Sequence, residues 1–285
     1  MKILIFGLGI TGISSAKALY KLGYEVDLLD SKYKENDKVK GLEDIEYEII
    51  EENNLDFSKY EYIVKSPGIL NTNKVVIEAE KNGLEVLSDI EVSYRIFGGE
   101  NIIAITGTNG KTTTASLVSY MLNCAGVKNR LVGNIGVGVL WEMYTYGKDY
   151  MYVMEVSSFQ LSNVKKFKPH ISLILNIAPD HLNWHKDYEE YIQAKMNIYK
   201  NQDNNDYTIL NYEDDILRNI DGLLSKIIYT STEREVNGIY EINSHIYDGN
   251  DLILERSDIS IPGKHNVSNA LFAIAIGRIL DIDID

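Results

Sequence analysis

At 285 residues the chain exceeds what a single core usually holds, so two domains are expected. Its composition, 45% hydrophobic and 25% charged, excludes disordered and fibrous classes. Lys+Arg 28 against Asp+Glu 42 leaves a net charge of -14, which repels a phosphodiester backbone and an anionic membrane surface and argues against nucleic acid as a partner.

Alternation of apolar strands with amphipathic helices begins at once. The run Lys2 to Ile13 is broken by Gly7, Gly9 and Gly12 and reads as a strand entering a turn, not as a signal sequence. Strands are predicted at Ile3 to Phe6, Val26 to Leu29 and Tyr62 to Val64, with helices ending near Leu22 and spanning Lys74 to Asn82. This is the βαβ pattern of a parallel sheet. After the break at Phe97-Gly98-Gly99-Glu100 a second alternation starts, with strands at Ile102 to Thr106, Met151 to Glu155 and Ile171 to Ile177. Domains are accordingly expected over 1–97 and 98–285, both α/β. Beyond Tyr207 shorter β-rich pieces follow as added strands, including a hairpin over Ile246 to Leu254 that turns at Asp248-Gly249-Asn250-Asp251. Cys124 is the only cysteine and lies among apolar residues in a predicted helix, so no internal disulfide forms and a reducing cytoplasm is expected. No apolar run reaches the roughly 20 residues that span a bilayer, so membrane insertion is not expected.

Gly7-Leu8-Gly9-Ile10-Thr11-Gly12 follows the first strand and opens a helix, and Asp30 ends the next strand, as in a dinucleotide fingerprint. Glycines let the backbone approach a pyrophosphate, and the carboxylate can accept from a ribose or base. NAD, FAD and UDP-sugars all satisfy this loop. Ser66-Pro67-Gly68 would face the same crevice. The second loop, Gly107-Thr108-Asn109-Gly110-Lys111-Thr112, stands between a strand and a helix with the stripe Ala115, Val118, Leu122, Ala125, which is the P-loop arrangement. Lys111 would reach the β- and γ-phosphates and Thr112 would offer its hydroxyl to Mg²⁺. A strict Walker A needs glycine where Ile105 stands, so only the shorter Gly-x-x-Gly-Lys-Thr form is met.

Further polar clusters fall at predicted strand ends: Asn134, Glu155 with Ser157 and Gln160, Asn176, and Asp180-His181. Glu155 suits a Walker-B-like Mg²⁺ carboxylate, whereas His181 suits either a metal ligand or a loop cap. On a helix expected over Asp187 to Lys200, Lys195 shares the apolar stripe of Tyr188, Tyr191, Ile192, Ile198 and Tyr199. Such a lysine either snorkels or pairs with a carboxylate, or is desolvated into a neutral amine that takes up CO₂ as a carbamate.

Added to those already quoted, Gly133-Asn134-Ile135-Gly136, Glu155 to Leu161, Asn176 to Leu182, Ala194-Lys195 and His265-Asn266-Val267-Ser268-Asn269-Ala270 complete a series spanning the chain. In this order the motifs resemble the Mur ligases, and within them the type that adds D-glutamate to UDP-N-acetylmuramoyl-L-alanine in peptidoglycan precursor synthesis. The resemblance implies a Rossmann-like UDP-binding domain, then a P-loop-type ATPase domain with added strands. It implies that Gly9, Ile10, Thr11, Gly12, Asp30, Ser31, Ser66, Pro67 and Gly68 hold the UDP part, with Asn134, Ser157, Gln160 and His181 near the substrate. ATP would be bound by Gly107 to Thr113, with Asn266 and Asn269 at the adenine. The catalytic set would be Lys111, Glu155, His181 and Lys195, with Thr112 and Glu155 on a first Mg²⁺ and His181 and carbamylated Lys195 on a second. The chemistry implied is an acyl phosphate attacked by an amine, in a cytoplasmic monomer. The family's third, Rossmann-like domain is not expected before Asp285, so the chain is expected to bind the UDP substrate and ligate poorly alone. Two other classes compete: an NAD-dependent oxidoreductase, resting on the first loop and Asp30, and a non-catalytic nucleotide-binding module.

Overall fold

A computed structural model describes residues 1–31 and 41–282. Along the chain run β1 (Lys2–Phe6), α1 (Ile10–Lys21), β2 (Glu25–Leu29), β3 (Glu48–Ile49), β4 (Tyr62–Lys65), α2 (Lys74–Lys81), β5 (Glu85–Leu87) and α3 (Asp89–Phe97). Next come β6 (Ile102–Thr106), α4 (Lys111–Cys124), β7 (Asn129–Gly133), α5 (Val139–Tyr146), β8 (Met151–Glu155), α6 (Ser158–Leu161), β9 (Ile171–Ile174) and α7 (Tyr188–Met196). The last part holds β10 (Tyr207–Asn211), α8 (Asp215–Arg218), β11 (Lys226–Ser231), β12 (Gly238–Ile242), β13 (His245–Asp248), β14 (Asp251–Glu255) and α9 (Lys264–Ile279). The chain divides into one unit of Met1–Gly98, Val132–Lys148 and Phe159–Phe167 and another of Gly99–Leu131, Asp149–Ser158 and Lys168–Asp285.

The first unit is built on a five-stranded sheet in the order β3-β2-β1-β4-β5, parallel throughout. Its central strand is apolar on both faces. Ile3 and Ile5 pack with Ala16 and Leu19 of α1 and Leu140 of α5, while Leu4 and Phe6 pack with Val75, Val76 and Ala79 of α2. A strand covered on both sides reads as a continuous hydrophobic run, and each aliphatic side chain so buried contributes about 1.5–3 kcal/mol. The strand order reverses between β1 and β4, which makes their carboxyl ends the switch-point crevice of a doubly wound sheet. The first glycine loop follows β1 and Ser66 follows β4, so both stand at that crevice.

The second unit carries a nine-stranded sheet in the order β14-β13-β12-β11-β10-β9-β6-β8-β7. The pairings from β12 through β8 are parallel, and β13 and β14 add an antiparallel hairpin. The predicted turn at Asp248 to Asp251 joins that hairpin, with Asp248 opposite Asp251. Helix α4 packs against α9.

Two local expectations change. The strand expected to reach Ile177 ends at Ile174, because Asn176 turns to the glycine loop and the Ile177 N–H donates to the Asp214 carboxylate at 2.7 Å. The helix expected to run to Lys200 ends at Met196; beyond it the N–H groups of Ile198 and Tyr199 reach Lys195 and Met196, the tighter three-residue spacing that finishes a helix. Cys124 lies in a helix as expected, at the end of α4, where it is exposed. Among the described residues no helix is long and apolar enough to cross a membrane.

Candidate active site

In the first unit the glycine loop is bound to the strand ends around it. Asp30 accepts from the Leu8 N–H at 2.8 Å, and the Ser66 hydroxyl donates to the Gly7 carbonyl at 2.8 Å. Gly12 is required by close approach: a β-carbon there would lie 1.9 Å from the Gly7 oxygen. Helix α1 begins at Ile10 with Gly9 as its cap, so its first N–H groups are left for a ligand or solvent. Ile10 is exposed, and Ser31, Gly68 and Asn134 are exposed as well. Lys65, one residue before Ser66, is buried, and its ammonium donates to the Ile69 carbonyl at 2.6 Å. Desolvation pushes its pKa down to about 8. Gln160, expected beside the substrate, is buried with its amide donating to Asp89 at 3.1 Å.

In the second unit the phosphate-loop residues converge with those at the neighbouring strand ends. Thr112 donates to Glu155 at 2.7 Å, and Glu155 closes β8 in a buried position. Lys111 folds back on its own loop, donating to the carbonyls of Gly107 at 2.9 Å and Thr108 at 2.8 Å. Burial lowers its pKa, against the pull of Glu155 and Asp180. Asn176 clamps the loop from β9, its oxygen accepting from the Asn109 N–H at 2.8 Å and its amide donating to the Asn109 carbonyl at 3.0 Å. Gly110 has φ 86° and would place a β-carbon 2.8 Å from Asn269 Oδ1, so the loop and α9 meet there. Asn269 donates to Asn266 at 3.3 Å, and Asn266 to the Pro262 carbonyl at 2.7 Å. A cleft of about 590 Å³ opens at this point, lined by Asn109, Gly110, Asn176, Asn211, His265 and Asn269 among others. Thr113 is exposed on the first turn of α4, and Ser157 is half-buried.

Lys195 is 2% exposed, and its ammonium donates to the Gly107 carbonyl at 2.8 Å while lying 4.7 Å from the centre of the Tyr191 ring. Desolvation first, and the Lys111 charge second, push its pKa down to about 7. His181 has a left-handed backbone, φ 54°, and its ring is near Tyr191, centroids 6.4 Å apart. Tyr191 in turn shares a 2.9 Å hydrogen bond with Thr108 of the phosphate loop. Sequence reasoning placed Tyr191 only in an apolar stripe; nothing in its spacing announced the hydroxyl contact. Nor did it single out His185, which is buried with Nε2 2.9 Å from the Ser158 hydroxyl and whose pKa is lowered chiefly by burial.

A β-strand, a glycine loop, a lysine and a hydroxyl bound to a buried carboxylate form the environment that triphosphates occupy. The oxygens of Thr112 and Glu155 also suit Mg²⁺, a hard cation usually held by one or two carboxylates with phosphate oxygens. Residues 105–277 match the Mur ligase middle domain, and residues 1–88 match the MurD-like N-terminal domain of Mur ligases. The chain belongs to the Mur ligase family. The first glycine loop is thus part of a Mur ligase N-terminal domain and not of a dehydrogenase.

This Mur ligase chain is 39% identical over 294 residues to the UDP-N-acetylmuramoylalanine--D-glutamate ligase of Clostridioides difficile, covering 100% of this chain and 65% of that one. The ligase of the same name from Staphylococcus epidermidis is 39% identical over 286 residues, covering 99% and 63%. The chain therefore spans less than two thirds of the length of these relatives. Among solved Mur ligase folds, the UDP-N-acetylmuramate:L-alanyl-gamma-D-glutamyl-meso-diaminopimelate ligase from Neisseria meningitides aligns with a TM-score of 0.67 at 20% identity, covering 100% of this chain and 95% of that one. The UDP-N-acetylmuramate-alanine ligase of Thermotoga maritima aligns at 0.60 and 20%, covering 100% and 66%.

Proposed function

We propose that this chain carries the UDP-substrate-binding domain, 1–97, and the ATP-binding domain, 98–285, of a ligase that joins D-glutamate to UDP-N-acetylmuramoyl-L-alanine. The observation that carries the reading is the Thr112–Glu155 bond at a phosphate loop that also holds two lysine ammoniums on the Gly107 carbonyl. Relatives bearing that ligase name at 39% identity support the choice of substrates.

A carboxylate resists attack by an amine because its charge repels the nucleophile and oxide is a poor leaving group. Transfer of the ATP γ-phosphoryl group to the carboxylate of the alanyl residue makes an acyl phosphate and ADP. The D-glutamate amine then adds to that carbonyl, an amide forms and inorganic phosphate leaves. Such transfer needs positioning and neutralisation of charge more than covalent help. Lys111 serves the β- and γ-phosphates by turning from the carbonyls of its own loop, and the loop N–H groups cradle the oxygens. Bound Mg²⁺ supplies neutralisation of the phosphate oxygens. Thr112 and Glu155 would hold the first ion, His181 and Lys195 the second. Asn269 borders the cleft that would take the adenine, and it donates to Asn266, which would approach the adenine with it. Gly9 to Gly12, Asp30, Ser31 and Ser66 to Gly68 would take the UDP part, and Asn134, Ser157 and Gln160 the rest of the substrate.

For Lys195 to act as a ligand its amine must be neutral, which a pKa near 7 allows. The amine then adds CO₂, forming a carbamate and releasing a proton. In the full-length ligase, Glu155→Gln should lower D-glutamate-dependent ADP release in the presence of UDP-N-acetylmuramoyl-L-alanine by about 100-fold or more, leaving affinity for the UDP substrate unchanged. Unchanged turnover would refute the metal assignment, and release driven better by L-lysine or L-alanine would refute the amino-acid assignment. In ¹³C-bicarbonate, NMR should show a carbamate carbon that Lys195→Arg abolishes.

A further inference from the structure

The turn that presents His181 is held in an unusual backbone. His181 has φ 54°, a left-handed conformation that disfavours residues with a β-carbon by about 1 kcal/mol and persists only where its surroundings enforce it. The turn closes on His181 itself, whose carbonyl accepts from the N–H of Trp184 at 2.9 Å and of His185 at 3.1 Å. The two histidines at its ends differ sharply in environment: the His181 side chain is 47% exposed, that of His185 is 0%. Buried His185 places Nε2 2.9 Å from the hydroxyl of Ser158, which is itself buried and follows Glu155 and Ser157 at the exit of β8. Its ring also meets the Tyr191 ring edge-on at 5.4 Å.

We propose that His185 is a positioning residue for the two metal sites: through Ser158 it ties the His181 turn to the exit of the strand carrying Glu155, and so sets the spacing of these two ligands, one for each ion. The inference rests on the reading of His181 and Glu155 as ligands. Histidine suits the task because its two nitrogens point outward, in the ring plane, from separate edges of one rigid ring. Nδ1 lies 3.9 Å from Glu190 Oε1, while the other Glu190 oxygen accepts from the Lys186 N–H at 2.8 Å. A carboxylate on that side favours the proton on Nδ1, which leaves Nε2 as an acceptor for the Ser158 hydroxyl. Groups behind a metal ligand typically alter metal affinity by about 10- to 100-fold when removed.

Mn²⁺, a paramagnetic substitute for Mg²⁺, is titrated into the protein with a saturating non-hydrolysable ATP analogue, and free Mn²⁺ is read by electron paramagnetic resonance. Ser158→Ala and His185→Phe should each weaken Mn²⁺ binding about tenfold, and the double variant should bind no more weakly than His185→Phe alone. His185→Gln, whose amide reaches the Nε2 position, should recover most of the loss. Affinity for the ATP analogue without metal should stay within about twofold of wild type, whereas a general loosening of the unit would reduce both. His181→Ala is measured alongside. If it leaves Mn²⁺ binding unchanged, the ligand reading falls and this inference with it. If it weakens binding while Ser158→Ala does not, or if the losses of Ser158→Ala and His185→Phe multiply, the inference is overturned and the ligand reading stands. Should His185→Phe fail to fold, Ser158→Ala decides the matter by itself, since it removes a single hydroxyl.

Discussion

Lys65 and Lys195 show how one residue type can be buried for different ends. Both end in a hydrogen bond to a backbone carbonyl, Ile69 for the first and Gly107 for the second, and both have pKa values lowered chiefly by desolvation. Lys65 fastens the turn that follows β4, and the charge it carries there opposes folding. With a folded pKa of about 8 against an ordinary 10.5, both states bind the proton below pH 8 and the penalty is full. Between those values the unfolded chain holds a proton that the folded chain has released, so stability rises with pH. Wild type should therefore gain up to about 3 kcal/mol over Lys65→Met between pH 7 and 10.5. Urea denaturation across that range measures the difference, and parallel curves would show that the ammonium bears no such penalty. A cation following the apolar run Tyr62-Ile63-Val64 was visible in the sequence, but its carbonyl partner was not, because that partner depends on how the next turn folds back.

Helix α3 shows at the scale of an element what periodicity leaves out. Glu91 is fully buried, and its carboxylate accepts from the N–H groups of Lys165, Lys166 and Phe167 and from Arg95 Nε. One side chain thus satisfies a run of backbone donors in the segment after α6, and beside it Asp89 receives the Gln160 amide. Glu91→Ala should cost about 3–5 kcal/mol, since it strands those donors and the Arg95 charge. Hydrogen exchange at Lys165 to Phe167 should accelerate with it. Glu85→Ala removes a bidentate but more exposed partner of Arg95 and should cost under about 1 kcal/mol. Equal losses for the two variants would refute the assignment of Glu91 as the clamp. The strands around both glycine loops were legible from apolar runs and punctuating glycines, as was the hairpin at Gly249. The end of α7 was not, since the change to three-residue spacing after Met196 leaves the apolar stripe intact.

For the whole molecule, the division into two units with separate glycine loops predicts separable responses to ligands. Mg²⁺ with a non-hydrolysable ATP analogue should slow amide exchange at Gly107 to Thr113 and along α9, and UDP-N-acetylmuramoyl-L-alanine should do so at Leu8 to Gly12. At a ligand concentration about 100 times Kd, each should stabilise the unit it binds by about 2.7 kcal/mol. Protection of the first loop by the ATP analogue alone would contradict the assignment. The amino-acid sequence by itself determined the α/β class, both glycine loops and their places after strands, because these depend on local periodicity and on backbone conformations that glycine permits. It also carried the order of motifs that marks a Mur ligase. Tertiary structure alone decided which polar side chains are buried and what they meet: Glu91 with a segment far along the chain, His185 with Ser158, Lys195 with Gly107. Those pairings join residues distant in sequence. A buried polar group must find its partner wherever the packed strands and helices bring one within reach, and no spacing rule encodes that distance.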